Sequence, residues 1–564
     1  MIRIEINKAV QFRGRSLFLS FPDRRDRQAQ LNQLSRLPRR YYHPEWKEWE
    51  VPLIKFNDVL NLLDQWDIEI VGDIPDDIKK RLEIEEQMVS GDEGDLNFKT
   101  EPFQHQLECY KFAKTHSKFI LGDEQGLGKT KQSIDIAVSR RGKFKHCLIV
   151  CCVNGLKWNW QDEVAKHSNE QSKIIGEYVT RNGNRVIGSL KERTEELRRG
   201  YDEFFLITNI ETLRDKRFRA VAKELCDNGE IGMVVVDEIH KCKNPSSLQG
   251  QALNYLSSYY RLGLSGTPLM SSPEDVYSIL KWMGVEAHSF TDFKEHYCVL
   301  GGYGGHDIMG YKNLNELRDR LDEVMLRRKK DEVLDLPPKI RSVEYVQMPA
   351  EQLSIYNEVL TLIRQNIDKI RLMPNPLVET IRLRQTTGYP GILSTKVTKS
   401  AKLDRMAELV AEAVEAGDKC IVFSNWTQVI NPAYDLLKKQ GYHPALITGD
   451  TTDAQAEKDR FMNDDKCKVV LGTISKMGTG FTLTAGRTVI FLDSPWTRAE
   501  KDQAEDRAHR IGTTGTVSVI TLVCKDTVDE KIEKIVESKG LLSDMIVDKM
   551  DVETELQLLD MLIF

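Results

Sequence analysis

The sequence has no apolar run approaching the roughly 18 residues that a membrane-spanning helix needs. It has no low-complexity tract and no short-period repeat, which argues against solenoid and disordered architectures. It has no pair of C-x-x-C knuckles. The ten cysteines are scattered, with Cys151 and Cys152 adjacent. That pattern predicts reduced, mostly buried thiols in a cytosol-like compartment, with neither a zinc site nor a disulfide framework. The start, Met1-Ile2-Arg3-Ile4-Glu5-Ile6, alternates as a strand would and does not read as a signal peptide. A whole-chain basic bias is also missing: the formal net charge is −6, so any nucleic-acid surface is expected to be local.

What is present is 564 residues, more than one hydrophobic core usually serves, so several domains are expected. Residues 1–72 are rich in arginine and aromatics, and residues 73–98 read as an acidic linker with little apolar surface to bury. From residue 99 to 338, short apolar runs alternate with helical stretches. The runs are Phe119–Leu121, Cys147–Cys151, Phe204–Ile207 and Met233–Val236. Continuous β-branched and aliphatic runs predict strands covered on both faces, hence a parallel sheet with helical crossovers. Residues 339–400 read as a helical insertion. The strand rhythm restarts over 401–530 with Cys420–Phe423, Ala445–Ile447, Lys468–Leu471, Val489–Leu492 and Val517–Ile520. Residues 531–564 read as a helical extension, and Leu336-Pro337-Pro338 as a hinge. The expected class is α/β: two RecA-like parallel-sheet lobes with helical insertions and a small α+β domain in front.

The strongest local signal is Asp123-Glu124-Gln125-Gly126-Leu127-Gly128-Lys129-Thr130, after a strand and before a helical stretch. Small residues let backbone N–H groups face phosphates, and a helix N-terminus adds its positive dipole end. Lys129 is expected to reach the β- and γ-phosphates of ATP, and Thr130 to coordinate Mg²⁺. Asp123 stands where the plain phosphate-loop pattern has its first glycine. The bland alternative is a glycine turn capping a helix. Val234-Val235-Val236-Asp237-Glu238 places two acids at a strand end, where ligands sit in such folds. Asp237 is expected in the Mg²⁺ shell through water, and Glu238 to orient the attacking water. Hydroxyls of Leu264-Ser265-Gly266-Thr267-Pro268 are candidates for sensing the γ-phosphate, although alone that string is more simply a turn.

Together these motifs resemble superfamily-two helicase-related ATPases, and the Snf-type DNA translocases among them. Asp237-Glu238-Ile239-His240-Lys241-Cys242-Lys243-Asn244 resembles that subgroup's motif II, with Ile239 in place of alanine. Met325-Leu326-Arg327-Arg328-Lys329-Lys330-Asp331-Glu332-Val333, then Leu336 to Lys339, resembles the segment that leaves its first lobe. His105-Gln106-Leu107-Glu108 resembles the Q motif, which implies that Gln106 reads the adenine edge. Leu148 to Cys152 with Trp158-Asn159-Trp160 resembles motif Ia, and Ile207-Thr208-Asn209 motif Ib. The resemblance places both on the tracked strand.

Asp502-Gln503-Ala504-Glu505-Asp506-Arg507-Ala508-His509-Arg510-Ile511-Gly512 resembles motif VI. Arg507 and Arg510 are three apart, as on one helical face. Guanidinium groups from outside the first lobe stabilise the charge on the transferring phosphoryl group, so hydrolysis would await lobe closure. Gln503 joins this catalytic set. Ser424 and Asn425 resemble motif IV and, with Thr473 of motif V, are expected to donate to backbone phosphates. Gly480 of motif V is assigned to the nucleotide side. Met477 replaces the first of motif V's two adjacent glycines, and Thr513 the glutamine that follows motif VI.

In front, the arginines around Arg39 and Arg40 accompany Tyr41, Tyr42, Trp46 and Trp49, as suits single strands or junctions. His43-Pro44-Glu45 predicts a turn and Lys47 to Val51 a strand. The segment resembles the HARP-type recognition domain of annealing helicases. The alternative is a small domain whose aromatics form its own core.

These resemblances imply a DNA-stimulated ATPase that translocates on double-stranded or forked DNA without sequence specificity. The implied setting is replication or repair, and the implied action is fork remodelling or strand annealing. ATP and Mg²⁺ are the implied cofactors. A monomeric motor without membrane attachment is expected, working beside replication or repair proteins. The expected location is the cytoplasm of a bacterial or phage-infected cell, or the nucleus of a eukaryote. Two rivals stay open: a strand-separating DNA or RNA helicase, and the motor subunit of a restriction or defence complex. The intact Lys129, Glu238, Arg507 and Arg510 speak against a binding-only relic.

Overall fold

The computed structural model describes residues 2–11, 15–21, 27–34, 37, 40–63, 66–74, 76, 79, 83–84, 98–152, 156–180, 185–266, 272–301, 307–334, 337–371, 378–478, 481–495, 497–510, 513–537 and 562–563. The chain divides into two compact units, one of residues 1–124 and 128–329, the other of residues 125–127 and 330–564.

The first unit opens with a five-stranded sheet. Its strands are β1 (Ile2–Lys8), β2 (Arg15–Ser20), β3 (Tyr41–His43), β4 (Glu48–Pro52) and β5 (Ile68–Val71), in the order β3-β4-β2-β1-β5. The expected turn after His43 joins β3 to β4 in an antiparallel hairpin. Ile2, Ile4 and Ile6 alternate inward from β1, so the period-two pattern of the first six residues decides which face is buried. This sheet and its two helices, Arg27–Leu34 and Phe56–Leu62, share a core with Ala287 of the larger sheet domain. Lys55 donates to the Ala287 carbonyl at 3.2 Å, and Lys118 to Asn61 at 3.3 Å.

The larger sheet of the first unit has seven strands. They include β6 (Lys118–Leu121), β7 (His146–Cys151) and β8 (Ser172–Ile174). A hairpin of β9 (Glu177–Val179) and β10 (Arg185–Ile187) intervenes before β11 (Phe205–Asn209), β12 (Ile231–Asp237) and β13 (Tyr260–Leu264). A second hairpin, β14 (Cys298–Gly301) with β15 (Asp307–Tyr311), precedes β16 (Met325–Leu326). The sheet order is β16-β6-β13-β12-β7-β11-β8, and every neighbouring pair is parallel. The four runs expected as buried strands are β6, β7, β11 and β12. Apolar side chains cover both faces in two clusters, one around Leu148, Val234 and Val236, the other around Ile149, Met233 and Val235.

The second unit holds a six-stranded sheet in the order β17-β22-β21-β18-β20-β19. Its strands are β17 (Lys339–Val346), β18 (Lys419–Ser424), β19 (Ala445–Ile447), β20 (Val469–Thr473), β21 (Gly486–Phe491) and β22 (Val517–Cys524), again all parallel. Residues 339–346 correct the expectation of a helical insertion from residue 339. They form the edge strand, paired with β22 along its full length. The helices Ala350–Gln365 and Val378–Gly388 are not an appendage either. Tyr356, Ile363 and Leu383 lie in the same cluster as Val422 and Ile490. The division at Lys329 and Lys330 precedes the expected proline hinge, because Lys330 already pairs with Asp506 of the second unit at 2.7 Å.

All ten cysteines are buried and free of disulfides. Among the described residues, no helix is long and apolar enough to cross a membrane. The acidic linker and the C-terminal extension lie largely outside the described residues, as do Leu336, Thr267 and Pro268.

Candidate nucleotide and strand sites

Strand order explains why three distant motifs converge. β13 lies between β6 and β12, so Leu121, Leu264 and Asp237 fall in register at the C-terminal edge of the sheet. The glycine loop leaves β6, the Ser265 turn leaves β13, and the acid pair ends β12. A parallel sheet gathers the loops after its strands at one edge, and that is where ligands bind.

In the glycine loop, Gly126 and Gly128 have φ of +87° and +78°, a region in which side chains are strained. Gly128 is also crowded: a Cβ there would lie 2.5 Å from Gln106 Nε2. Gln106 thus abuts the loop, while its side-chain oxygen accepts from the Phe103 N–H at 3.1 Å. The helix Lys129–Ser139 starts at Lys129, with Thr130 partly exposed in its first turn. The Lys129 ammonium donates to the carbonyls of Asp123 at 2.7 Å and Glu124 at 3.3 Å.

Asp123 opens the string expected to bind the nucleotide, yet its side chain does not point into the loop. Its carboxylate is fully buried and turned back into the domain, where Arg328 Nε reaches Oδ1 at 3.0 Å and Nη2 reaches Oδ2 at 2.6 Å. Gln132 donates to Oδ2 at 3.2 Å and accepts from Arg328 at 3.0 Å. Arg328 also donates to the His105 carbonyl. One planar guanidinium therefore ties the Gln106 helix to the base of the glycine loop. Sequence reading noted Arg328 only as part of a family string. Its partner is about two hundred residues away, and no local signal announces the pair.

Asp237 and Glu238 have contrasting settings. Burial, then the neighbouring Glu238 charge, push the Asp237 carboxyl up to about 6, against the Trp160 hydrogen bond and the Lys129 charge. Glu238 has φ 54° and ψ 49°, a left-handed backbone that costs a non-glycine residue about 1–2 kcal/mol. Its Oε2 is buried without a hydrogen-bond donor. His240 Nδ1 lies 3.4 Å away but makes no hydrogen bond to it. Burial holds His240 down to about 4, so at neutral pH this is no ion pair. His240 Nδ1 instead lies 3.2 Å from Ser265 Oγ, linking the acid strand to the next turn.

This donor set fits a magnesium nucleotide. A left-handed glycine loop opens a helix, an ammonium donates to loop carbonyls, and an acid with a raised pKa stands beside a carboxylate oxygen that lacks a donor.

The motif VI arginines are not on a helix. The helix Arg498–Glu505 ends with Asp506 as its cap, and Arg507 and Arg510 lie in the turn beyond it. Cations on β17 and before it draw in the carboxylates at that helix end: Lys339 and Arg341 take Glu505, and Lys330 takes Asp506. Arg507 Nε donates to the carbonyls of Gly478 at 2.9 Å and Gln503 at 3.3 Å, and Nη1 to that of Phe481 at 3.3 Å. Arg510 donates to Thr482 Oγ1 at 2.9 Å. Gln503 is partly buried in the helix. Gly480 lies outside the described residues. Met477 is turned into the core with Phe423 and Phe491, so its replacement of a glycine adds packing to the loop's base.

Several strand-contact assignments are revised by burial. Trp160 is 1% exposed, and its indole donates to Asp237 Oδ2 at 2.8 Å. Thr208 and Asn209 are buried at the end of β11, where Asn209 donates to Glu211 and accepts from Thr212. Ser424 is buried and donates to Asp493, and the Asn425 side chain donates to the Ser494 carbonyl at 2.9 Å. Thr473 is buried beside Ser424 in the paired strands β18 and β20. Asn209, Ser424 and Asn425 thus find partners within their domains and brace the loops that follow.

In the N-terminal sheet the aromatics divide. Trp46 is 50% exposed and stacks on His43 with ring centroids 4.7 Å apart. Tyr41 is also exposed. Trp49 packs against Tyr42 at 5.0 Å and lies under the Arg40 guanidinium at 5.8 Å. Beneath them, buried Glu50 accepts from His43 at 2.8 Å and from the backbone N–H groups of Val10 and Gln11. Arg39 lies outside the described residues.

Comparison with known proteins places this architecture. The SNF2-related domain matches residues 81–390, and the helicase conserved C-terminal domain matches residues 401–512. Neither match extends over the N-terminal sheet. The chain is 29% identical over 460 residues to chromodomain-helicase-DNA-binding protein 1-like of Mus musculus, covering 76% of this chain and 48% of that protein. It is 27% identical over 458 residues to the putative ATP-dependent helicase/translocase YwqA of Bacillus subtilis, covering 77% and 47%. It is 26% identical over 450 residues to the DNA annealing helicase and endonuclease ZRANB3 of Homo sapiens, covering 77% and 39%. The chain thus spans about half the length, or less, of these relatives. With the glycine loop, the acid pair and the motif VI arginines in place within the matched regions, this chain belongs to the SNF2-related family of helicase-like ATPases.

Proposed function

We propose that this chain is a DNA-stimulated ATPase that translocates on double-stranded or forked DNA and serves fork remodelling or strand annealing in replication or repair. The observation that carries the catalytic part is Glu238: a strained backbone aims a buried carboxylate oxygen, lacking a donor, beside the acid that ends the same strand. Such an oxygen suits a water that it accepts a hydrogen bond from and orients toward a phosphorus atom. Lys129 exchanges its loop carbonyls for the β- and γ-phosphate oxygens of ATP. Thr130 and Asp237 hold Mg²⁺, directly or through water. When bound, the metal neutralises charge on those oxygens. Gln106 borders the loop from the side on which the base would lie. Arg507 and Arg510 leave their present acceptors and stabilise the charge that spreads over the transferring group. Hydrolysis then depends on Arg507 and Arg510 being brought to ATP, and repeated cycles on a backbone give directional movement.

The exposed Trp46 and Tyr41 support a recognition role for residues 1–72. Aromatic faces beside arginine stack unpaired bases at junctions without reading sequence.

The test is the ATPase rate of the full chain with single-stranded DNA, duplex DNA, forks and RNA. Stimulation by DNA, strongest with duplex or forked forms, is expected. A rate indifferent to every nucleic acid overturns the motor reading. Strong displacement of a tailed strand, without a fork or annealing substrate, replaces it with a strand-separating helicase.

A further inference from the structure

We propose that Trp160 is a positioning residue for magnesium: its indole N–H occupies one oxygen of Asp237 and thereby fixes which oxygen faces the metal. This rests on the reading of the glycine loop and acid pair as a magnesium–nucleotide site.

The geometry is specific. Trp160 Nε1 lies 2.8 Å from Asp237 Oδ2, in hydrogen-bonding range. The indole sits in the helix Leu156–His167, in the core cluster with Cys151 and Val235. Strand pairing sets the Asp237 backbone, since Asp237 is in register with Cys151 on one side and Leu264 on the other. It does not set the carboxylate plane. The terminal torsion of aspartate is broad and roughly two-fold, so an undirected carboxylate presents either oxygen at several angles. The Glu238 backbone N–H also donates to this carboxylate, and the indole on Oδ2 adds a side-chain donor that strand pairing does not supply, so the two together restrict which oxygen is left for the metal.

The choice of side chain supports this. The other indole of the same helix, Trp158, is engaged elsewhere, with Nε1 3.3 Å from Glu177 Oε1. A phenylalanine keeps an aromatic ring at this site but is smaller and donates nothing, so its loss of packing is controlled for separately. A buried tryptophan requires an acceptor for its N–H, and the acceptor here is the acid assigned to the metal. Partners of metal ligands matter to affinity in other sites, where their loss weakens metal binding roughly 10–100-fold.

The experiment compares the full chain with Trp160→Phe and Val164→Ala. Val164 is buried in the same cluster on the same helix, its side chain has no hydrogen-bonding group, and it reports loss of packing. Binding of a fluorescent ADP analogue is titrated with Mg²⁺. The Mg²⁺ midpoint is expected to rise roughly 10–100-fold for Trp160→Phe, to stay within twofold for Val164→Ala, and metal-free ADP binding is expected to hold. An unchanged midpoint for Trp160→Phe, or an equal shift in Val164→Ala, overturns the proposal. Should Trp160→Phe fail to fold, the native chain labelled with fluorotryptophan gives a second reading. Of its eight tryptophans, one is expected to show a ¹⁹F shift when Mg²⁺ joins bound ADP. No shift overturns the proposal. A native chain that binds ADP with no magnesium dependence overturns the site reading as well. Magnesium-dependent binding with an indifferent Trp160→Phe overturns only this inference.

Discussion

The acid strand end of the first unit and the arginine turn of the second carry the two halves of the expected chemistry, and they are prepared differently. At the acid end, polar capacity is left over: Glu238 Oε2 has no donor, and the Asp237 carboxyl is pushed up to about 6. At the arginine turn, the guanidinium of Arg507 already donates to the carbonyls of Gly478, Gln503 and Phe481. The first site stores its readiness as strain and desolvation. The second holds its cation in an alternative set of hydrogen bonds, which must be exchanged before it acts. Under the proposed mechanism the acid end is poised, whereas the arginine turn has hydrogen bonds to exchange before it can act.

The contrast breaks most sharply at turnover. Glu238→Gln is expected to bind ATP normally and lose about 10²–10⁴-fold in hydrolysis, as for a lost general base or water-orienting group. Arg507→Lys keeps the charge but not the planar fork, and its turnover is expected to fall about 10³-fold with nucleotide affinity nearly unchanged. Single-turnover hydrolysis measured beside equilibrium nucleotide binding checks both. If Arg507→Lys lowers the thermal stability of the second unit while turnover holds, Arg507 is only a staple for the loop it touches.

A second comparison lies within the first unit. Asp123 is compensated by a bidentate arginine, whereas Asp237 has an indole. Arg328→Leu leaves a buried carboxylate without its cation and is expected to destabilise the first unit by about 3–5 kcal/mol, read from denaturant unfolding. A change within experimental error removes the ion pair from any role in holding the glycine loop.

The smallest expected effect is a fractional proton. With Asp237 raised to about 6, the folded chain holds more proton than the unfolded chain between the ordinary carboxylate range and pH 6. This group's contribution to stability therefore falls as pH rises through that window. Magnesium requires the ionised form, so metal binding with nucleotide near pH 6 is expected to release a proton, and near pH 8 none from this group. Calorimetry in buffers of different ionisation enthalpy measures the release. Equal release at both pH values places the titrating group elsewhere.

Much of this was legible from covalent order. Apolar runs located β6, β7, β11, β12 and five strands of the second sheet, because strands covered on both faces leave a continuous apolar record. β17 was missed. As an edge strand it keeps Lys339, Arg341 and Glu344 among its apolar residues, and its only strand neighbour is β22, far along the chain. The glycine loop and acid pair could be read because their chemistry is local. Arg328 with Asp123, and Trp160 with Asp237, could not, since each pairing is made by the sheet rather than by spacing. Three-residue spacing places the arginines of motif VI on a helical face, but the helix ends at Glu505, before Arg507. The aromatics of the N-terminal sheet divide, with Trp46 exposed and Trp49 packed against the sheet's core.

The left-handed backbone at Glu238 also bears on how this chain would change under selection. Glycine there would relax the backbone, and asparagine tolerates that conformation better than glutamate, yet either removes the carboxylate. Selection for heat resistance alone would therefore drift toward inactive chains at this codon, and selection for turnover alone would keep a locally ill-suited residue. If Glu238 orients the attacking water, as proposed, heat resistance and turnover pull in opposite directions at this position.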